Sequence, residues 1–195
     1  MKYQAIIKER YKDKLFFTIR DLRILLKEQK ISNEYLKKLI FNLLKKKEIT
    51  LITRGKYTFA KDIMVSGFAY APFYYGLEEA LSLRNLWEQE TNPVILTTKK
   101  IRPGIRKSFD SGNIVIHRIS RKYFFGFDYI KYYDISIPVS DIEKTLIDFV
   151  YYNNYLPKDV IVEIKHKIDK SKLKEYLNHY PLVIKGKVLA LLKAK

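Results

Sequence analysis

The stretch 32–59 constrains the fold more than any other, because an apolar repeat at helical spacing passes directly into two alternating segments joined by a basic turn. Leu36, Leu39, Ile40, Leu43 and Leu44 recur at three and four, so they line one side of a helix. Ser32 stands before that repeat with a hydroxyl able to accept a bond from a first-turn amide, and Ile31 is placed to staple onto the same turn. Lys45, Lys46 and Lys47 close the helix, where cations suit the negative end of its dipole and equally suit phosphate. Residues 49–53 then alternate, Arg54-Gly55-Lys56 supplies a tight turn, and residues 57–59 alternate again, which predicts a β-hairpin with a basic tip.

Two further helices are predicted upstream. Tyr3, Ile6 and Ile7 mark a short one ending near Tyr11, and Ile19, Leu22, Leu25 and Leu26 mark a second. Thr18 with Asp21 opens that second helix as a capping box in which Asp replaces the usual Glu. Helix, helix, helix and hairpin in that order predict a winged helix-turn-helix, whose third helix enters the major groove of double-stranded DNA. On that helix Tyr35, Lys38, Asn42 and Lys45 form the stripe facing away from the apolar one, and they are the groove-facing candidates. Ser32, Lys37, Lys46, Arg54 and Lys56 are the candidates for phosphate contact.

The charge agrees with a polyanionic partner. The 195-residue chain carries 38 Lys and Arg against 21 Asp and Glu, a net +17. Residues 1–62 hold 17 basic and 7 acidic side chains, whereas 63–195 hold 21 and 14, so the charge is denser in the N-terminal part. There is no cysteine, which removes disulfides, thiolate zinc sites and cysteine nucleophiles. No apolar run approaches the roughly 18 residues of a membrane span, and residues 1–10 lack the apolar core of a signal peptide, so a cytoplasmic protein is expected.

Residues 61–66 read as a short linker, dividing a DNA-binding domain at 1–63 from a larger α+β domain at 64–195. In the second domain a helix is predicted over 76–89 and strands over 94–98, 106–109, 114–118, 123–125 and 135–139, with Asp110-Ser111-Gly112-Asn113 as a hairpin turn. Ser140-Asp141-Ile142-Glu143 has the form of a capping box and predicts a helix from Asp141 to about Tyr152. The rest reads as helices broken near Asp169 and Pro181.

No catalytic constellation emerges. Glu143 and Asp148 share a helix but are not spaced to converge, and Asp159, Glu163 and Lys165 fall in one predicted helix where a metal nuclease needs neighbouring strands. His117, His166 and His179 are scattered, so neither a metal site nor a triad is expected, and no cofactor is implied. The predicted C-terminal helices carry Lys165, Lys167, Lys170, Lys172 and Lys174, which read either as solvated surface or as a second basic face. That face supplies the alternative function, an RNA- or protein-binding module.

Four features together resemble a known family: the N-terminal helix-turn-helix pattern, Phe73-Tyr74-Tyr75-Gly76-Leu77-Glu78-Glu79-Ala80-Leu81, Tyr123-Phe124-Phe125-Gly126, and Ile137-Pro138-Val139-Ser140-Asp141-Ile142-Glu143-Lys144-Thr145-Leu146-Ile147-Asp148. In order and spacing they resemble the AbiEi family, antitoxins and transcriptional regulators of abortive-infection type IV toxin-antitoxin systems. The resemblance implies a repressor of its own operon that binds promoter repeats. It also implies a functional partner, a nucleotidyltransferase-like toxin that need not be touched directly. Where that family often has Pro-Glu-Lys-Ala-Leu-Leu-Asp, this chain keeps Glu143, Lys144 and Asp148 but loses the proline. The Gly-Ser start and paired aspartates of a nucleotidyltransferase are missing, so the chain does not read as the toxin itself.

Overall fold

The structure, a computed structural model, describes residues 2–109 and 112–193. It is an α+β protein with a mixed β-sheet, and it divides into two compact units, residues 1–71 with 105–114 and residues 72–104 with 115–195.

The first unit begins with α1 (Lys2–Tyr11), β1 (Phe17–Thr18) and α2 (Ile19–Leu25). The Thr18 hydroxyl accepts from the Asp21 amide at 3.2 Å while the Asp21 carboxylate accepts from the Thr18 amide at 2.7 Å, so both halves of the expected box are formed. A 3₁₀ turn at Lys27–Gln29 ends on Lys30 in the left-handed region and leads to α3 (Asn33–Lys45). The hairpin of β2 (Thr50–Thr53) and β3 (Lys56–Thr58) follows, turned by Arg54 and by Gly55 at φ +76°. Only glycine adopts that conformation without strain.

The sheet has three strands where a two-stranded hairpin was predicted. Phe17 and Thr18 pair with Tyr57 and Lys56, giving the order β1-β3-β2. Two residues are too short for an alternation to be legible, but the pairing places Phe17 in the core between Tyr11, at 5.0 Å, and Phe59, at 5.6 Å. Ile7, Leu22, Leu36, Leu39 and Leu43 complete that core.

Residues 63–70 form a largely buried 3₁₀ segment, where 61–66 were expected to be a short linker. Their composition explains the difference, since Met64, Val65, Ala69 and Tyr70 are all apolar enough to pack. The β2 edge is covered from within the same unit: Phe109 donates its amide to the Leu51 carbonyl at 3.3 Å, and the Ser108 hydroxyl bonds the Ile52 carbonyl and the Ser66 hydroxyl. A sheet edge with free carbonyls is a liability that such contacts remove.

The second unit contains β4 (Phe73–Tyr75), α4 (Leu77–Leu83) and β5 (Val94–Thr97). Strands β6 (Gly104–Ser108) and β7 (Gly112–Arg118) come next in the chain, residues 105–114 of them belonging to the first unit, and β8 (Phe127–Tyr132) and β9 (Ile135–Ser140) return to the second. The mixed sheet runs in the order β6-β7-β5-β4-β9-β8. Strand β4 is antiparallel to β5 and parallel to β9. The turn expected at Asp110 and Ser111 lies outside the described residues.

Four helices follow: α5 (Ile142–Tyr152), α6 (Lys158–Lys167), α7 (Lys170–Leu177) and α8 (Leu182–Lys193). The breaks at Asp169 and Pro181 fall where the sequence placed them. Helix α5 is the centre of the packing, with residues 143–149 all buried against Tyr74, Leu81, Ile164, Leu173 and Val188.

Three expectations in this unit are corrected. The helix predicted over 76–89 stops at Leu83, because Arg84 turns its guanidinium onto the Ser140 and Val139 carbonyls and Asn85 enters the left-handed region. Residues 123–125 are not a strand: a 3₁₀ turn covers Arg121–Tyr123, and Gly126 at φ +73° ends the run. Tyr123, Phe124 and Phe125 all pack into the same cluster, which an alternating strand forbids. The cap of α5 is Asp141, whose carboxylate accepts from the Lys144 amide at 2.7 Å, while Ser140 bonds the Thr145 hydroxyl instead.

Candidate nucleic-acid interface

Helix α3 is anchored by one side and open on the other. Leu36, Leu39, Ile40 and Leu43 are buried, each stabilising the unit by about 1.5–3 kcal/mol, so the orientation of the opposite side is fixed by the core. Ser32 caps the helix, its hydroxyl oxygen accepting from the Tyr35 amide at 3.1 Å. Its own proton remains to be donated to an anion.

The spacing of about 100° per residue puts Glu34, Lys38, Phe41 and Lys45 opposite the buried stripe, with Lys37 on one flank and Tyr35 and Asn42 on the other. Lys37, Lys38 and Lys45 are exposed, and Asn42 is half-buried. Tyr35 is exposed as well, with its ring edge-on to Tyr3 at 6.1 Å. The outermost line therefore differs from the one read from sequence in two residues. Phe41, 62% exposed, occupies its middle, and Glu34 stands at its start near the positive end of the helix dipole. Phe41 escaped the sequence reading because an aromatic that follows Leu39 and Ile40 looks like core. Its phase, opposite the repeat of Leu36, Leu39, Ile40 and Leu43, was the available signal.

The other predicted phosphate contacts divide. Arg54 sits exposed at the hairpin turn, next to Gly55. Lys46 is exposed and lies 3.9 Å from Glu48, an ion pair worth little at a surface. Lys56, expected at the basic tip, is half-buried: its ammonium donates to the Ala69 carbonyl and lies 5.0 Å from the Phe16 ring centroid. It holds the buried 63–70 segment to the hairpin.

The C-terminal lysines divide. Lys172 is drawn onto Asp141 at 2.9 Å and Glu143 at 3.7 Å, and these acids hold its ammonium above the ordinary lysine range against the opposing effect of partial burial. Lys165, Lys170 and Lys174 border a groove, whereas Lys167 is exposed at the end of α6.

The buried polar cluster of the second unit lies on α5. Lys144 and Asp148, both fully buried and one helical turn apart, form an ion pair. The Tyr74 hydroxyl accepts from the Lys144 ammonium at 2.8 Å and donates to the other Asp148 oxygen at 2.9 Å. Burial pushes the Lys144 ammonium down and the Asp148 carboxyl up, each effect opposed by the other charge, while burial and Asp148 raise Tyr74 well above the usual phenol range. The cluster is closed to solvent, so it has the form of a structural lock. Among the described residues no group of three or more His, Asp or Glu could hold a metal ion, and no helix is long and apolar enough to cross a membrane.

No protein-family model matches the chain, and no curated protein matches it in sequence. Among solved structures it is similar to the RV2827C protein from Mycobacterium tuberculosis. That crystal structure aligns with a TM-score of 0.66 at 12% identity, over 98% of this chain and 76% of the other. The likeness is one of fold.

Proposed function

We propose that the chain is a sequence-specific DNA-binding repressor whose first unit acts as a winged helix. The observation that carries this reading is α3: a helix held rigidly by its buried stripe, presenting Lys37, Lys38, Phe41 and Lys45 outward, with Arg54 at an adjoining hairpin turn of the same unit. In a major groove about 12 Å wide such a helix offers ammonium groups to phosphates and guanine edges, and an aromatic ring to thymine methyl groups. Ser32 and Lys46 suit the flanking backbone, and Tyr35 and Asn42 the near side of the groove. The net charge of +17 supplies the long-range attraction. The resemblance to AbiEi proteins extends the reading to a repressor of its own operon and the antitoxin of a nucleotidyltransferase-like toxin.

Two single substitutions test the role of α3. Lys38→Ala should weaken binding of every duplex and lower the slope of log affinity against log salt by about one unit. Phe41→Ala should leave that slope unchanged and reduce discrimination at thymine positions, by about 1–3 kcal/mol at one base pair. Full operator affinity in both variants would remove α3 from the interface.

A further inference from the structure

Helices α7 and α8, with the end of α6, enclose a groove of about 680 Å³. Ile168, Leu173, Leu177, Leu189 and Leu192 make its apolar wall and floor. Its rim includes Lys170, Lys174, Lys185 and Lys193, and among the described residues no acidic side chain lines it. A second cavity of about 570 Å³ adjoins it across Lys165, of different character, since Tyr155 and Asp159 line it beside Val162 and Leu191. Helix α8 is unusually bare for an apolar helix: Leu182 is 82% exposed, Val183 68% and Leu189 47%. Of these, Leu189 lies in the groove itself, so an exposed apolar side chain stands there among lysines, the pattern of a recognition site.

We propose that this groove binds an amphipathic helix of a partner protein, with leucine-like residues on its inner face and glutamates or aspartates along both flanks. Three features select that occupant. A groove between packed helices with an aliphatic floor accepts side chains at i, i+3, i+4 and i+7 of a docked helix. The lysine rim then meets acidic flanks, whereas a second copy of this chain, itself at +17, would bring like charge to like. Single-stranded nucleic acid needs aromatic platforms for its bases, and none of the groove-lining residues is aromatic. The proposal is independent of DNA binding, because none of these residues belongs to the first unit.

The test uses the full chain and three fluorescein-labelled peptides of ~18 residues, about five helical turns. One is an amphipathic helix with leucine on one face and glutamate on its flanks, the second a scrambled sequence of equal composition, and the third the same helix with lysine for glutamate. The first should bind at least about ten-fold more tightly than the others by anisotropy. The triple substitution Lys170→Glu/Lys174→Glu/Lys185→Glu should reverse the preference between the first and third peptides. Leu189→Asp should weaken binding of the first about ten-fold without changing Tm by more than a few degrees. Because the chain has no cysteine, Leu189→Cys carrying an environment-sensitive dye gives an independent readout, with a blue shift on binding of the first peptide.

Equal binding of the amphipathic and scrambled acidic peptides would reduce the groove to a charge effect and overturn the proposal. So would a dimer in solution that Leu189→Asp converts to monomer, since a second copy would then be the occupant. An RNA oligonucleotide bound more tightly than the acidic helix, and released by the triple charge reversal, would overturn it equally.

Discussion

Removing the Asp148 carboxylate while Lys144 keeps its ammonium leaves a cation in a site walled by Tyr74 and Phe125, with no solvent access. An unpaired buried charge of this kind costs about 3–5 kcal/mol, so Asp148→Leu should lower Tm by roughly 10 °C at the 2–4 °C per kcal/mol usual for chains of this length. Lys144→Met should cost a similar amount, because the carboxylate would retain only the Tyr74 hydroxyl. The double variant removes both charges and leaves only that hydroxyl short of partners, a loss of about 1–3 kcal/mol. Adding Tyr74→Phe should bring stability close to that of the parent, since a well-packed apolar replacement of a buried pair is often neutral or better. Urea titration followed by the single tryptophan, Trp87, reports the second unit, because that residue packs on the same core. Single losses that simply add in the double variant, with coupling below about 1 kcal/mol, would refute the claim that Lys144 and Asp148 are held for each other.

Gly126→Ala should destabilise the second unit by at least about 2 kcal/mol. Its Cβ would lie 2.8 Å from the Lys144 Cβ, at φ +73°, whereas Gly186→Ala, in open space on α8, should stabilise by about 0.5–1 kcal/mol; paired thermal melts distinguish them. Burial holds His117 below the ordinary imidazole range, so the unfolded chain takes up this proton first and stability falls as pH drops below about 6.5. His117→Phe, which keeps a ring against Tyr152, should therefore lose less stability between pH 7 and 5 than the parent does. Equal losses in urea titrations at the two pH values would contradict that assignment.

The parts of the fold legible in sequence were those fixed by local chemistry. Thr18 and Asp21 announce their capping box, the repeat from Leu36 to Leu43 announces α3, and Asp169 and Pro181 stand at the helix breaks. What could not be read depends on partners distant in sequence. Strand β1 exists because Tyr57 and Lys56 pair with Phe17 and Thr18, and the 63–70 segment is buried in the same unit as residues 105–114. The buried pair is a similar case. Lys144 and Asp148 are spaced at i and i+4, yet only the full packing around α5 distinguishes a locked pair from a surface one.

At the candidate interface, the lysines of α3 stood out by composition. Phe41 did not, because an aromatic beside Ile40 reads as core unless it is phased against the apolar repeat of the helix. Lys56 was misplaced for the converse reason: a basic residue in a turn is ordinarily solvated, and here a carbonyl within the unit claims it.

The central claim, sequence-specific DNA binding, is tested most directly by fluorescence anisotropy of the full chain on duplex DNA from its own upstream region, titrated with salt beside scrambled duplex of equal length. The account predicts a preference of about 10³-fold or more for the native duplex, with affinity for both falling steeply as salt rises. Equal and weak binding to the two duplexes would contradict it, leaving the charge of +17 as no more than a general attraction for polyanions.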